Sequence, residues 1–100
     1  MKTLTPEEIR ASLRLLDPWK RRGCVITREF RLKDFVEAMR FENAVARIAE
    51  KVQHHPDIDI RWNTVRLALT THDAGGLTTM DFEVAQAIEK NYGSNRRPLL

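Results

Sequence analysis

The three histidines of this 100-residue chain all fall where an element must end. His54 and His55 stand directly before Pro56 and follow Glu50 by four and five residues; His72 stands three residues before the pair Gly75-Gly76. Imidazole is the side chain whose charge changes nearest neutral pH, so histidines held at junctions that a ligand can reach suit proton transfer. Glu50 and His54 have i, i+4 spacing, which puts them one turn apart on one side of a helix. Pro56 pushes His55 toward extended backbone, which predicts a helix ending at His54 and a second imidazole swung in a new direction. The negative end of the helix, with the Glu50 carboxylate nearby, would favour a cationic His54, the form a general acid needs.

His72 follows an alternating segment that reads as a strand, and Thr70 and Thr71 offer hydroxyls at the end of that strand to a flat heterocycle. The glycine pair lets the backbone turn sharply and leave space. Asp81 closes the run Thr78-Thr79-Met80-Asp81, and a capping role at a helix start is enough to explain it. Each of these also has a plainer explanation, since histidines often cap helix ends and His-Pro pairs often mark turns. Three histidines and a carboxylate could in number make a zinc site. Neighbouring histidines rarely converge on one ion, however, and the chain has no His-x-x-x-His pair, so no metal is expected. Trp19 and Trp62 are isolated from any aromatic-basic interleave and read as sheet-packing or pocket-rim residues.

The elements that would position these groups can be read from periodicity. Thr5-Pro6-Glu7-Glu8 combines an N-cap hydroxyl, a proline at the first helical position and an acid at the third, predicting a helix to about Leu16 with Ile9, Leu13 and Leu16 buried. Asp17-Pro18 ends it. Trp19 to Phe30, broken at Gly23, reads as two short antiparallel strands. From about Lys33 to His54 the spacing of Phe41, Ala44, Val45, Ile48 and Val52 predicts a long amphipathic helix. Ile58, Ile60 and Trp62, then Val65, Leu67 and Leu69, alternate as two more strands turning near Asn63-Thr64. A last helix, carrying Phe82, Ala85 and Ile88, runs to about Asn91. The order α-β-β-α-β-β-α predicts an α+β fold, a four-stranded antiparallel sheet with three helices on one face. The open sheet face or edge then needs a partner or a polar cover.

One domain spanning 1–100 is expected, ordered over about 3–92, with a loose tail over 93–100. Lys and Arg number 17 against 14 Asp and Glu, and an excess of +3 is no nucleic-acid signature. Lys20-Arg21-Arg22 and Arg96-Arg97 read as solvated surface. No apolar run approaches the roughly 18 residues of a membrane span, and the N-terminus turns acidic before a signal-peptide core can form. The lone Cys24 cannot form an internal disulfide and reads as a buried thiol in a reducing, cytoplasmic setting.

Taken together, Glu50-x-x-x-His54-His55-Pro56, then Trp62, His72 and Asp81 at fixed separations, resemble the motif of the pterin-4a-carbinolamine dehydratases. Trp19, Phe30-x-x-Lys33-Asp34-Phe35, Ala49-Glu50 and Thr71-His72-x-x-Gly75-Gly76-Leu77-Thr78 extend the resemblance over about residues 3–91. It implies a lyase that dehydrates 4a-hydroxytetrahydropterin to quinonoid dihydropterin, recycling the pterin of aromatic amino acid hydroxylases without a metal or organic cofactor. It further implies His54 and His72 as acid and base, in either order, and His55 orienting the substrate hydroxyl. Glu50 would hold the pterin or tune His54, and Thr70, Thr71 and Trp19 would contact the substrate. Gln53 departs from the acidic residue some members carry there. The resemblance also implies homodimers or homotetramers. An alternative role is a protein-interaction module, since family members serve as dimerisation cofactors of a homeodomain transcription factor, or a part in other pterin metabolism.

Overall fold

The computed structural model describes residues 2–95; of the tail expected to be loose over 93–100, residues 93–95 are helical, and the rest, with Arg96 and Arg97, lies outside the described residues. The element order is α1 (Pro6–Arg14), β1 (Lys20–Arg22), β2 (Val25–Arg31), α2 (Phe35–Val52), β3 (Asp57–Arg61), β4 (Thr64–Leu69) and α3 (Thr79–Asn95), with a 3-10 turn at His72–Ala74. This is the predicted α-β-β-α-β-β-α order, with one antiparallel sheet in the strand order β1-β2-β4-β3. Helix α3 continues to Asn95, past the expected end near Asn91.

Local chemistry accounts for the helix starts. The Thr5 hydroxyl accepts the Glu8 N–H at 3.2 Å while the Glu8 carboxylate accepts the Thr5 N–H at 2.8 Å, a closed capping box. The hydrogen bond from the Thr5 N–H, and then the pull of the Thr5 hydroxyl, hold the Glu8 carboxyl below the ordinary glutamate range. Asp34 caps α2 by accepting the Glu37 N–H at 2.9 Å.

The two central strands supply the sheet side of the core, because β2 and β4 align Ile26 with Leu69 and Phe30 with Val65 on the face beneath the helices. Phe41 and Tyr92, from α2 and α3, stack against Phe30 at centroid distances of 4.6 and 4.9 Å. Arg28 takes an inward position between Ile26 and Phe30 where alternation calls for an apolar side chain. It is accommodated by an ion pair with Glu89 of α3 and by the Phe30 ring, 4.1 Å from its guanidinium carbon. Glu89 also accepts the Trp19 indole N–H at 3.0 Å. Trp19 is only 4% exposed and packs edge-on against Phe30 of β2, the sheet-packing role read for it from the sequence.

The hairpin tips correct two expectations. Arg22 pairs with Val25, so Gly23-Cys24 is a two-residue turn with Gly23 at φ 62, a region glycine enters without steric cost. Cys24 at this tip is exposed, not buried, because the turn projects beyond the core. Arg61 pairs with Thr64, so the second turn is Trp62-Asn63, one residue earlier than predicted. Asn63 is pinned to the chain after β2, its carbonyl accepting the Leu32 N–H at 2.8 Å and its amide donating to the Leu32 carbonyl at 3.1 Å. Trp62 therefore adopts φ 53 and is 69% exposed instead of packing on the sheet.

The sheet face away from the helices is covered by polar groups: Glu29, Arg66 and Asp59 lie side by side across β2, β4 and β3. The edges are blunted by a short, exposed Lys20-Arg21-Arg22 strand and by Asp57 and Asp59 on β3. Among the described residues no helix is long and apolar enough to cross a membrane.

Removing one partner of a largely buried ion pair strands the other charge, so Glu89→Ala is expected to lower unfolding free energy by about 3 kcal/mol in urea titrations. The double variant Arg28→Met/Glu89→Leu should recover most of that loss. The depressed Glu8 carboxyl stabilises α1 above the ordinary glutamate range, a contribution lost as pH falls through its folded value. Glu8→Gln should therefore flatten the acid dependence of the α1 N-terminal amide shifts in NMR spectra.

Candidate active site

Helix α2 ends two residues before the predicted His54. Gln53 takes the left-handed conformation (φ 60, ψ 42), and its N–H and that of His54, the latter at 3.1 Å, both point to the Ala49 carbonyl. This reversal is what allows the chain to enter β3 immediately after Pro56. It also removes His54 from the helical face it was expected to share with Glu50. The pairing changes accordingly: Glu50 bonds His55, Oε2 to Nε2 at 2.5 Å, on the surface. His54 turns inward, 12% exposed, with its Nε2 2.6 Å from Asp81 Oδ1.

Asp81 has no solvent exposure. Its Oδ2 accepts the Thr71 hydroxyl at 2.8 Å and the Thr78 N–H at 2.9 Å, and the Thr71 and Thr78 hydroxyl oxygens are 2.9 Å apart. The capping role read from the sequence is present in the Thr78 bond. The same carboxylate also bridges the end of α2 to the end of β4, a tertiary role that spacing does not reveal. Thr78, fully buried, was missed as a site residue; its place in the Thr78-x-x-Asp81 cap was the available signal.

His72 lies on the 3-10 turn that follows Thr71, exposed, its side chain without a hydrogen-bond partner among the described residues. Gly75, at φ 77, closes the turn by donating its N–H to the His72 carbonyl at 3.0 Å. The N-terminal segment braces this loop. The Leu4 N–H donates to the Leu77 carbonyl at 2.9 Å, and a Cβ at Gly76 would meet the Thr3 methyl at 3.2 Å.

His54 and His72 are thus tied to one network, His54 directly and His72 through its neighbour Thr71, while His55 and Glu50 form an exposed pair on the α2 terminus. The Thr70 hydroxyl donates to the Cys24 carbonyl at 2.5 Å, so both threonine hydroxyls expected at the substrate are engaged within the protein. Trp62 sits across the length of β3 from His55, about 17 Å for five extended residues, and is no part of this cluster. No three His, Cys, Asp or Glu side chains gather as a metal cluster among the described residues. A groove of about 610 Å³ between α2 and α3, lined by Arg40, Phe41, Arg47 and Tyr92 among others, includes none of the candidate residues.

A histidine held by a buried carboxylate, linked through Thr71 to the turn that carries a second, open histidine, is an arrangement suited to acid–base chemistry. The sequence matches the family model for pterin 4 alpha carbinolamine dehydratase over residues 2–91, and the chain belongs to that family. A relative from Acidobacterium capsulatum, provisionally named a pterin-4-alpha-carbinolamine dehydratase, is 55% identical over 89% of this chain and 97% of its own length. The crystal structure of a transcriptional coactivator/pterin dehydratase from Brucella melitensis superposes with a TM-score of 0.86 at 36% identity, covering 89% of this chain and 97% of that one. A pterin dehydratase-like RuBisCO assembly factor of the alpha-carboxysome shares the fold at 17% identity, with a TM-score of 0.62 over 75% of this chain and 87% of that one.

Asp81→Ala would leave His54 Nε2, the Thr71 hydroxyl and the Thr78 N–H without their buried partner, an expected loss on the order of 3 kcal/mol by urea unfolding. Glu50→Ala, which breaks only an exposed pair, should change stability by about 0.5 kcal/mol or less.

Proposed function

We propose that this protein dehydrates pterin-4a-carbinolamine to quinonoid dihydropterin by histidine general acid–base catalysis, recycling the pterin used by aromatic amino acid hydroxylases. The observation that carries this reading is the Asp81-oriented His54 placed beside the turn that presents His72. In the reaction, an acid protonates the 4a-hydroxyl as the lone pair of the ring nitrogen expels it, and the C–O bond breaks with release of water. A base takes the proton from the ring N–H, completing the C=N bond. One proton is given and one taken, so two imidazoles suffice, with His55 and Glu50 at the rim to orient the leaving hydroxyl. The site is proposed to act in one domain, in the cytoplasm, within a homodimer or homotetramer.

With a chemically generated 4a-hydroxypterin as substrate, the purified protein should speed its disappearance well above buffer. His54→Ala and His72→Ala should each slow it by about 100-fold or more while the circular dichroism spectrum is retained. His55→Ala should cost less. Wild-type protein no faster than buffer would sink the reading. The Brucella neighbour's title pairs dehydratase with transcriptional coactivator, which supports a second reading as an interaction module. Partners that still co-purify with a His54→Ala/His72→Ala protein would favour that one.

A further inference from the structure

We propose that Thr71 and Thr78 are positioning residues: acting through Asp81, their hydroxyls fix His54 as the Nε2–H tautomer and leave Nδ1 as its reacting atom. Hydrogen-bond direction around the buried network is determined step by step. The Asp81 carboxylate can only accept, so the Thr71 hydrogen goes to Oδ2. The contact between the two hydroxyls is then filled by the Thr78 hydrogen, while Thr78 Oγ1 accepts the Met80 N–H at 3.3 Å. The same Oδ2 also receives the Thr78 N–H, a group that can only donate. With two donors already on Oδ2, the Asp81 carboxylate meets His54 through Oδ1 as an acceptor, so the hydrogen shared between them sits on Nε2. In neutral His54 the other nitrogen must then carry the lone pair. Nδ1 has no hydrogen-bond partner among the described residues and is not sealed from solvent, so it is the atom open to a substrate.

The same chain explains why the hydroxyls are buried rather than offered to a ligand: Thr71 is 8% exposed, and Thr78 and Asp81 are not exposed at all. Since Thr71 directly precedes His72, one hydroxyl both completes the carboxylate that orients His54 and anchors the start of the turn that presents His72. Loss of the Thr71 hydroxyl leaves the Thr78 hydrogen without an acceptor and Asp81 with one donor fewer, freeing the carboxylate to rotate.

The kinetic consequence rests on the dehydratase reading, whereas the tautomer can be observed without substrate. In long-range proton–nitrogen NMR spectra of the full-length protein, wild-type His54 should show the protonated nitrogen at Nε2, and Thr71→Val should give a mixture of tautomers. Thr71→Val should also lower kcat by about tenfold with KM within about twofold, since the group acts through His54 and not on substrate. Thr71→Ser, which keeps the hydroxyl, should recover both the tautomer and most of kcat. If Thr71→Val does not fold, Thr78→Val carries the same two readouts, with Thr78→Ser as its rescue. The proposal is overturned if the valine variant keeps the wild-type tautomer and kcat, or if serine is as impaired as valine, which would assign the effect to methyl packing. A wild-type protein without dehydratase activity whose tautomer still follows the hydroxyl would remove the proposed reaction and leave the network assignment standing.

Discussion

The Asp81 carboxylate, sealed from solvent at the first turn of α3, receives hydrogen bonds from the end of α2, the end of β4 and the chain entering α3. A buried carboxylate is tolerable only when its lone pairs are met by donors, and each donor here comes from a different segment. Satisfying the charge therefore requires these segments to converge. The segments that carry His54 and His72 are joined as a consequence, since His54 bonds the carboxylate and His72 follows a residue that does. The site and the junction of the fold share one set of bonds.

Helix α3 has to be held along its length for that carboxylate to be useful. Two turns beyond Asp81, Glu89 binds Arg28 and the Trp19 indole, fastening α3 to β2 and to the chain that leads into β1. Arg28 interrupts the apolar row of β2, yet it lies against Phe30 and near Tyr92, so its charge is met by a carboxylate and by ring faces. The N-terminal segment, crossing at Leu77 and Gly76, steadies the loop between β4 and α3 from the other side.

The left-handed Gln53 is the second constraint. Continuing α2 through His54 would have placed that imidazole over Glu50 and left Asp81 without it. Ending the helix early costs backbone strain at a residue other than glycine, and the Gln53 amide offsets part of it by donating to the Glu50 carbonyl at 2.6 Å. The two adjacent histidines then diverge, one into the buried network and one to the surface with Glu50. His55 and Glu50 are exposed enough for solvent to screen their attraction, so this pair has little weight in stability.

The order of helices and strands, the inward row of β4, the capped starts of α1 and α3 and the junction placement of the histidines could all be read from the chain, because each depends on neighbours within a few residues. The motif carrying the family resemblance was legible for the same reason, being defined by spacing. Which carboxylate faces which imidazole was not. Spacing paired Glu50 with His54, whereas the structure pairs Glu50 with His55 and His54 with Asp81, 27 residues away. Trp62 and Cys24 were misplaced likewise, since burial at a hairpin tip depends on partners brought close only by folding. Local periodicity encodes which face of an element is apolar, but the direction of a polar side chain is decided by the donors and acceptors that tertiary packing sets around it.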